Sequence, residues 1–206
     1  MKSLSQDEKQ RLRSAMQRLI DEKKTEHQGN IHGGPTDYCP GVPGQICCLH
    51  STPGFLPWHR LHMTQMEDEL GMALPYWDWT EGGQLPDLWE GLTPTFKDGL
   101  TSECVDEEQC TCKKGDGGAG FVNRKENVRI KPDKKRLVRQ AFDESDFGEF
   151  EPNLQVPHNA IHVEIGCEML PPTHAGYDLI FYLHHTFIDY QWAFWQEVQR
   201  IREALV

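Results

Sequence analysis

The sequence predicts a mainly α-helical domain of bundle type, with long disulfide-stapled loops and few strands. Four segments repeat apolar residues at helical spacing, and the connections between them are rich in Gly, Pro and polar residues. The length of 206 residues suits one hydrophobic core. Residues 81–130 gather Gly, Thr and acidic residues with three of the seven cysteines, which indicates one long cross-linked loop.

The first helix is predicted from a capping-box pattern that begins at Ser5, followed by apolar residues at helical intervals. We expect this helix to end near Lys24. Residues 28–57 are rich in Gly and Pro, which favours an irregular loop. That loop would include His32 and His50.

The second helix is expected to begin near Pro57, because proline suits the first turn of a helix. It would place His59 within its first turns. Residues 74–79 are short and aromatic, and are interpreted as buried irregular chain.

Two later helices are predicted after Pro132 and over residues 156–165. From Tyr177 onward the chain contains neither Gly nor Pro and keeps a helical apolar pattern, which predicts one long helix. Together these helices indicate a helical core of bundle type.

Charge and hydropathy exclude several classes of function. A net charge of −11 and a pI near 5.3 argue against nucleic acid and anionic membrane surfaces as partners. Apolar residues are too dispersed for an 18-residue membrane span, and the first thirty residues lack the apolar region of a signal peptide. Seven cysteines indicate an oxidising compartment. We therefore expect a secreted, extracellular protein whose signal peptide is not in this chain.

The cysteine spacing leaves several pairings open. In an extended segment Cys47 and Cys48 point to opposite sides, so Cys47 can bridge to Cys39 while Cys48 faces the side of His50. The four remaining cysteines allow three disulfide pairings, and they are Cys104, Cys110, Cys112 and Cys167. The first three of them could instead form a zinc knuckle, but their spacing is unusual for a zinc site.

Histidines form the most informative pattern. His158 and His162 are four residues apart, so both lie on one face of a helix and can bind one ion. Such a pair alone is more often a solvated helix face. Asn159 stands where a zinc protease motif requires glutamate, which disfavours that class. Asp189 follows His185 by one helical turn and is expected to orient its imidazole.

A site made only of neutral imidazoles suits copper, whereas carboxylates favour harder ions. Three histidines can be drawn from each half of the chain, a division that fits two metal ions with three ligands each. Three ligands leave positions open for O2 or a substrate.

Several motifs resemble the type 3 dicopper family of tyrosinases, catechol oxidases and molluscan haemocyanins. Residues 50–60, with the Phe-Leu-Pro-Trp-His-Arg sequence, are similar to the family's copper A motif. Residues 158–162 and 178–189 resemble its copper B region. Residues 47–48 and 74–80 are most similar to the molluscan haemocyanin branch.

The resemblance implies that the protein binds two copper ions and uses O2 as co-substrate. It also implies which residues bind the copper ions, because each ligand position of the family's motifs has a matching residue in this sequence. The implied copper A ligands are His32, His50 and His59, and the implied copper B ligands are His158, His162 and His185. It also implies a thioether bond between Cys48 and His50, and it makes His184 a non-ligating neighbour.

The resemblance implies that the protein oxidises o-diphenols to o-quinones, with or without ortho-hydroxylation of monophenols. The expected partner is therefore a small phenolic or catecholic substrate. Many relatives place a glutamate shortly before the first copper B histidine, to act as a base with the following Asn. Here Asn159 is present, but the expected position holds Gln155, which cannot accept a proton. Asn159 and Gln155 are the candidate catalytic residues, and Glu149 or Glu151 are alternative bases.

The resemblance further suggests a single domain over residues 1–206 without a C-terminal lid domain, and hence an open site. An open site favours a tyrosinase or catechol oxidase, that is, a polyphenol oxidase. The local similarity to haemocyanins favours a reversible O2 carrier instead. A disulfide-rich structural protein with incidental histidines is the third interpretation.

Overall fold

The computed structural model describes residues 4–33, 48–97, 119–122, 124–125 and 127–205. Within these residues seven α-helices follow one another: α1 (Gln6–Asp21), α2 (Lys24–Gly33), α3 (Phe55–Leu70), α4 (Lys134–Phe142), α5 (Phe147–Ile165), α6 (Pro172–Ala175) and α7 (Leu179–Ala204). The four short strands are β1 (Gly83–Gln84), β2 (Thr95–Lys97), β3 (Ala119–Phe121) and β4 (Arg129–Ile130). The predicted fold class, mainly α with few strands, is confirmed.

The first helix has the predicted start, since the Ser5 hydroxyl accepts from the Glu8 N–H and the Glu8 carboxylate accepts from the Ser5 N–H. The predicted loop from residue 28 was wrong, because residues 28–33 belong to α2. Gly29 and Gly33 in this stretch serve close packing. A Cβ at Gly29 would lie 2.2 Å from the Tyr177 ring, and one at Gly33 would lie 2.2 Å from the Pro172 carbonyl oxygen.

The fourth predicted helix is longer than expected. It begins at Phe147, where the Asp146 side chain accepts from the Gly148 N–H, and it contains Pro152 and Pro157. Prolines inside a helix remove hydrogen bonds and usually mark boundaries, which is why the sequence pattern hides the first half of α5.

The last helix, α7, begins at Leu179, two residues after the predicted start at Tyr177. The buried Asp178 carboxylate accepts from the Ile180 N–H at 2.8 Å and pairs with the Arg124 guanidinium. This capping fixes the helix that contains His184 and His185.

The helices pack pairwise around one core: α3 against α7, α4 against α5, and α2 against α6, with α1 contacting α2 and α3. Fully buried aromatic side chains fill the centre, among them Phe55, Trp79, Phe150, Phe181 and Tyr182. Each such burial stabilises the fold by roughly 1.5–3 kcal/mol.

The four short strands form two antiparallel pairs. β1 pairs with β4, with Gly83 opposite Ile130, and β2 pairs with β3, with Thr95 opposite Phe121. No helix in the described ranges is long and apolar enough to cross a membrane.

Most of the expected disulfide-stapled loop, and the expected Cys39–Cys47 bridge, lie outside the described residues. Cys167 is disulfide-bonded, and Cys48 is a free, buried thiol.

Candidate metal centre

Six histidines from four helices and one connecting segment converge at the middle of the bundle. His32 lies in the last turn of α2, His59 in the second turn of α3, and His50 just before α3. The other three, on α5 and α7, are His158, His162 and His185. All are buried except His50, which is half-buried. These are the six residues that the sequence predicts as ligands.

Two histidines of the first group face each other through Nε2. The Nδ1 of His32 lies 2.9 Å from the Pro172 carbonyl oxygen, and the Nδ1 of His59 lies 2.8 Å from the Phe55 carbonyl oxygen. A carbonyl only accepts, so each Nδ1 bears the hydrogen and each Nε2 presents a lone pair. The two Nε2 atoms are 3.3 Å apart. Two lone pairs at this distance repel unless a cation lies between them.

The second group has the same arrangement. The Nδ1 of His162 donates to the Met169 carbonyl at 2.7 Å, and the Nδ1 of His158 donates to the Asn159 side-chain oxygen at 2.8 Å. Their Nε2 atoms are 3.0 Å apart, and the Nε2 of His185 lies 3.2 Å from that of His158. Two nitrogens bound to one ion at about 2.0 Å, with an angle of about 90–110° between them, would be roughly 2.9–3.3 Å apart. The observed distances therefore fit a shared metal ion.

The two groups share one cavity. The rings of His59 and His185 stack with centroids 4.3 Å apart, and the His50 ring lies 5.1 Å from His59 and 6.0 Å from His158. The buried ring of Phe55 contacts both groups, at 4.6 Å from His59 and 4.7 Å from His158. Two metal ions held here would be close neighbours.

Burial keeps these imidazoles neutral. Desolvation is the main cause that lowers the pKa of His32, His59, His158 and His185 well below its usual range, and it lowers the pKa of His162 to about 4. Neighbouring imidazoles add to the lowering at most of these sites. Neutral imidazole is the form that binds a metal.

The expectation about a residue that supports a histidine was wrong. Asp189 was expected to orient His185, and this was wrong, because its carboxylate accepts from the Arg60 Nε at 2.5 Å. The guanidinium of Arg60 also lies 3.7 Å from the centre of the Trp192 ring. The Nδ1 of His185 has no hydrogen-bond partner among the described residues.

Two further buried histidines lie against the site. His184 stacks on His158 with centroids 5.0 Å apart, and its ring nitrogen is close enough to share an ion with the second group. His62 stacks on Trp58 at 5.2 Å. Neither has a hydrogen-bonded ring nitrogen within the described residues. The resemblance implies that His184 is a non-ligand, whereas proximity alone would include it.

Cys48 lies beside the first group. Its N–H donates to the His32 carbonyl at 3.0 Å, and its sulfur lies within 4.8 Å of a ring nitrogen of both His32 and His50. Burial raises the pKa of its thiol to about 12. The thioether between Cys48 and His50 stays a prediction.

A cavity of about 220 Å³ opens onto both groups, and it is lined by His32, His50, His158, Asn159, His162, Val163, Leu170, Pro172 and Ala175. Val163 and Leu170 are exposed, which places apolar side chains at its mouth. Asn159 therefore borders the metal cavity.

The other candidate acid–base residues lie elsewhere. Gln155 is buried, does not line that cavity, and accepts from the Ser51 N–H at 2.9 Å. Glu149 is exposed, whereas Glu151 is buried and accepts from the Leu56 N–H at 3.0 Å. The sequence gives no signal for this last contact, because its partner is a backbone group far along the chain.

Comparison with known proteins matches residues 17–198 to the family described as the common central domain of tyrosinase. The chain is 32% identical over 98% of its length to haemocyanin G-type, units Oda to Odg, of the octopus Enteroctopus dofleini, of which it spans 8%.

Among solved structures it resembles a functional unit of octopus haemocyanin, with 29% identity, a TM-score of 0.77, and coverage of 97% of this chain and 53% of that one. A recombinant mushroom tyrosinase is similar in fold, with 20% identity, a TM-score of 0.53, and coverage of 90% of this chain and 46% of that one. The chain thus spans about half or less of these proteins.

Proposed function

The chain belongs to the family of the common central domain of tyrosinase, and from this premise we propose that it is a copper-dependent oxidase of o-diphenols, a catechol oxidase or tyrosinase. As a type 3 copper domain with two groups of buried histidines, it binds two copper ions and O2. The reaction, the ligand assignment and the substrate are our proposals.

We assign three histidines to each ion. Copper A is held by His32, His50 and His59, and copper B by His158, His162 and His185. The facing lone pairs support this assignment, because carbonyl and amide oxygens fix the tautomers of four of the six rings. Bound copper would supply O2 binding and accept electrons from the substrate. The protein positions the ions, orients the rings and limits access to them.

The observation that favours an oxidase is the cavity beside both groups, whose mouth is lined by Val163 and Leu170. Apolar walls suit an aromatic ring. The Asn159 side-chain oxygen accepts from the His158 ring, which leaves its amide N–H groups available to a substrate oxygen. None of the described residues that line this cavity is a carboxylate that could take up the proton of a phenol, so catechols should be better substrates than monophenols.

Reversible O2 binding is the second candidate, and the similarity to octopus haemocyanin favours it. One experiment separates the two candidates. The protein is loaded with copper, exposed to O2, and its absorption spectrum is recorded with and without catechol. Quinone formation over many turnovers supports the oxidase. An O2-dependent band that disappears under vacuum, returns with air and is unaffected by catechol would refute the oxidase and support the carrier.

The thioether is part of the same proposal. Joining the Cys48 sulfur to the His50 ring removes two hydrogens, with oxidising equivalents from copper and O2. The peptide containing both residues should keep that mass deficit after reduction and alkylation. Alkylation of Cys48 in copper-matured protein would contradict this bond. The disulfide at Cys167 accords with a secreted protein, which we also propose.

A further inference from the structure

A buried carboxylate next to the metal centre has no role in the proposed reaction. Glu151 lies on α5, and its side chain is 1% exposed. Its Oε1 accepts from the Leu56 N–H at 3.0 Å, whereas the neighbouring Phe55 N–H donates to the Thr52 carbonyl at 3.0 Å. Burial raises the pKa of this carboxyl group, and the nearby backbone N–H groups of Leu56 and Phe55 oppose the rise.

The donor belongs to the first turn of α3, which has no side-chain cap of its own. The N-cap residue is Gly54, no side chain of α3 caps its N-terminus, and its first turn contains no acidic residue. The first N–H groups of a helix have no partner within the helix, and its N-terminus attracts negative charge. Glu151 supplies both the acceptor and the charge from a different helix.

The capped turn is also the one that orients a ligand. The carbonyl of Phe55 accepts from the His59 Nδ1 at 2.8 Å, and the Phe55 ring contacts both histidine groups. A shift of Phe55 would therefore turn the His59 ring and change the contact with His158.

Glu151 lies two helical turns before His158 on α5. One turn closer, Gln155 accepts from the Ser51 N–H at 2.9 Å, next to His50. One face of α5 thus contacts both the segment that contains His50 and the start of α3, the helix that contains His59. Helix α5 itself contains His158 and His162, two histidines of the other group.

We propose that Glu151 is a positioning residue of the dicopper centre: by capping α3 from α5 it sets the distance between the copper A and copper B histidines. This inference rests on the ligand assignment proposed above. The two ions must be held at one separation for both to contact a single O2 molecule. A change in the capping contact should therefore affect O2 binding more than copper binding.

The test compares two variants of Glu151, one that shortens its side chain and one that removes its negative charge. Glu151→Asp keeps the charge but is one methylene shorter, whereas Glu151→Gln keeps the reach and one acceptor oxygen. The matched control is Glu149→Asp, an exposed carboxylate two residues earlier on the same helix. Each protein is loaded with copper. Measurements are the copper content, the O2-dependent absorbance per copper pair, the kcat and KM for catechol, and the unfolding midpoint of the copper-free protein.

Glu151→Asp should bind about two copper ions yet lose most of the O2-dependent absorbance per copper pair. Its kcat should fall by roughly 10- to 10²-fold with little change in KM, since misplacements near 1 Å have this effect. Glu151→Gln should keep most of the absorbance, and the control should match the unchanged protein. If Glu151→Asp lowers only the unfolding midpoint, and its absorbance per copper pair is normal, the positioning role is wrong. The absorbance per copper pair does not depend on turnover, so it tests the positioning role whether or not the protein is an oxidase. A lack of catechol oxidation by the protein without substitutions would refute the proposed reaction alone.

Discussion

Replacing His62 by leucine should leave both copper ions in place and make the copper-free protein less sensitive to acid. His62 is buried on α3, one turn after His59, and neither of its ring nitrogens has a hydrogen-bond partner within the described residues. Burial lowers its pKa to about 3. The ring therefore stays neutral in the folded protein at any pH above that value.

The magnitude follows from linkage. The folded pKa of about 3 lies below the ordinary value of 6.5, so the unfolded chain binds the extra proton as pH falls below 6.5. His62 thus costs stability between pH 6.5 and 3, and has no effect on the pH dependence above 6.5. At pH 5 the cost is about 2 kcal/mol, from a difference of about 1.5 pH units at 1.36 kcal/mol each. Leucine removes this cost, and it also removes two buried polar atoms without partners, worth about 1–3 kcal/mol.

The assay is urea unfolding of the copper-free protein at pH 7.5 and pH 5, followed by circular dichroism. The loss of unfolding free energy between the two pH values should be about 2 kcal/mol smaller in the His62→Leu protein. Copper content should stay at two per chain, whereas the control His59→Leu, a buried proposed ligand one turn earlier, should lose copper A. A His62→Leu protein that binds one copper, or that keeps the full acid sensitivity, would refute the reasoning.

Two further predictions follow from packing and from acid–base chemistry. Gly176→Ala would place a Cβ 2.7 Å from the His32 Cβ, so copper A affinity should fall roughly 10-fold or more by equilibrium dialysis. The control Gly71→Ala has a strained φ of 73° but no atom within 4 Å, so it should lower stability by about 1 kcal/mol without copper loss. Gln155→Glu should leave the ratio of monophenol to diphenol rates unchanged, because the side chain at this position accepts from the Ser51 N–H and does not line the metal cavity. A general base contributes ~10²-fold or more, so a raised ratio of initial rates would show that position 155 reaches the substrate.

The sequence predicts the helical fold class because helical periodicity is a local property of the chain. The six histidines are predicted by the resemblance to the dicopper family, whose copper motifs are short stretches of the sequence. It misplaces the start of the first loop, since Gly29 and Gly33 look like helix breakers until Tyr177 and Pro172 are seen packed against them. The start of α5 is hidden for a similar reason, because Pro152 lies within the helix. These errors arise where a distant element decides the local conformation.

Supporting contacts of the histidines are harder to predict than the histidines themselves. Three of the four fixed tautomers depend on backbone carbonyls, of Phe55, Met169 and Pro172. Every residue has a backbone carbonyl, so the residue type does not indicate which carbonyl accepts a hydrogen bond from a histidine. The expectation that a carboxylate orients His185 failed for a similar reason. Residue type and spacing suggested Asp189 for this role, but the packing of α3 on α7 brings Arg60 to Asp189 and pairs these two side chains.

The carrier and the oxidase require the same ligands, so the ligand set cannot distinguish them. They differ in what must reach the metals: a carrier admits O2 alone, whereas an oxidase also admits an aromatic ring. The side chains that decide this are the ones at the cavity mouth, Val163 and Leu170, and neither belongs to the histidine pattern. Two chains with identical ligands can therefore have different functions, and the walls of the cavity are the part of this chain on which the choice depends.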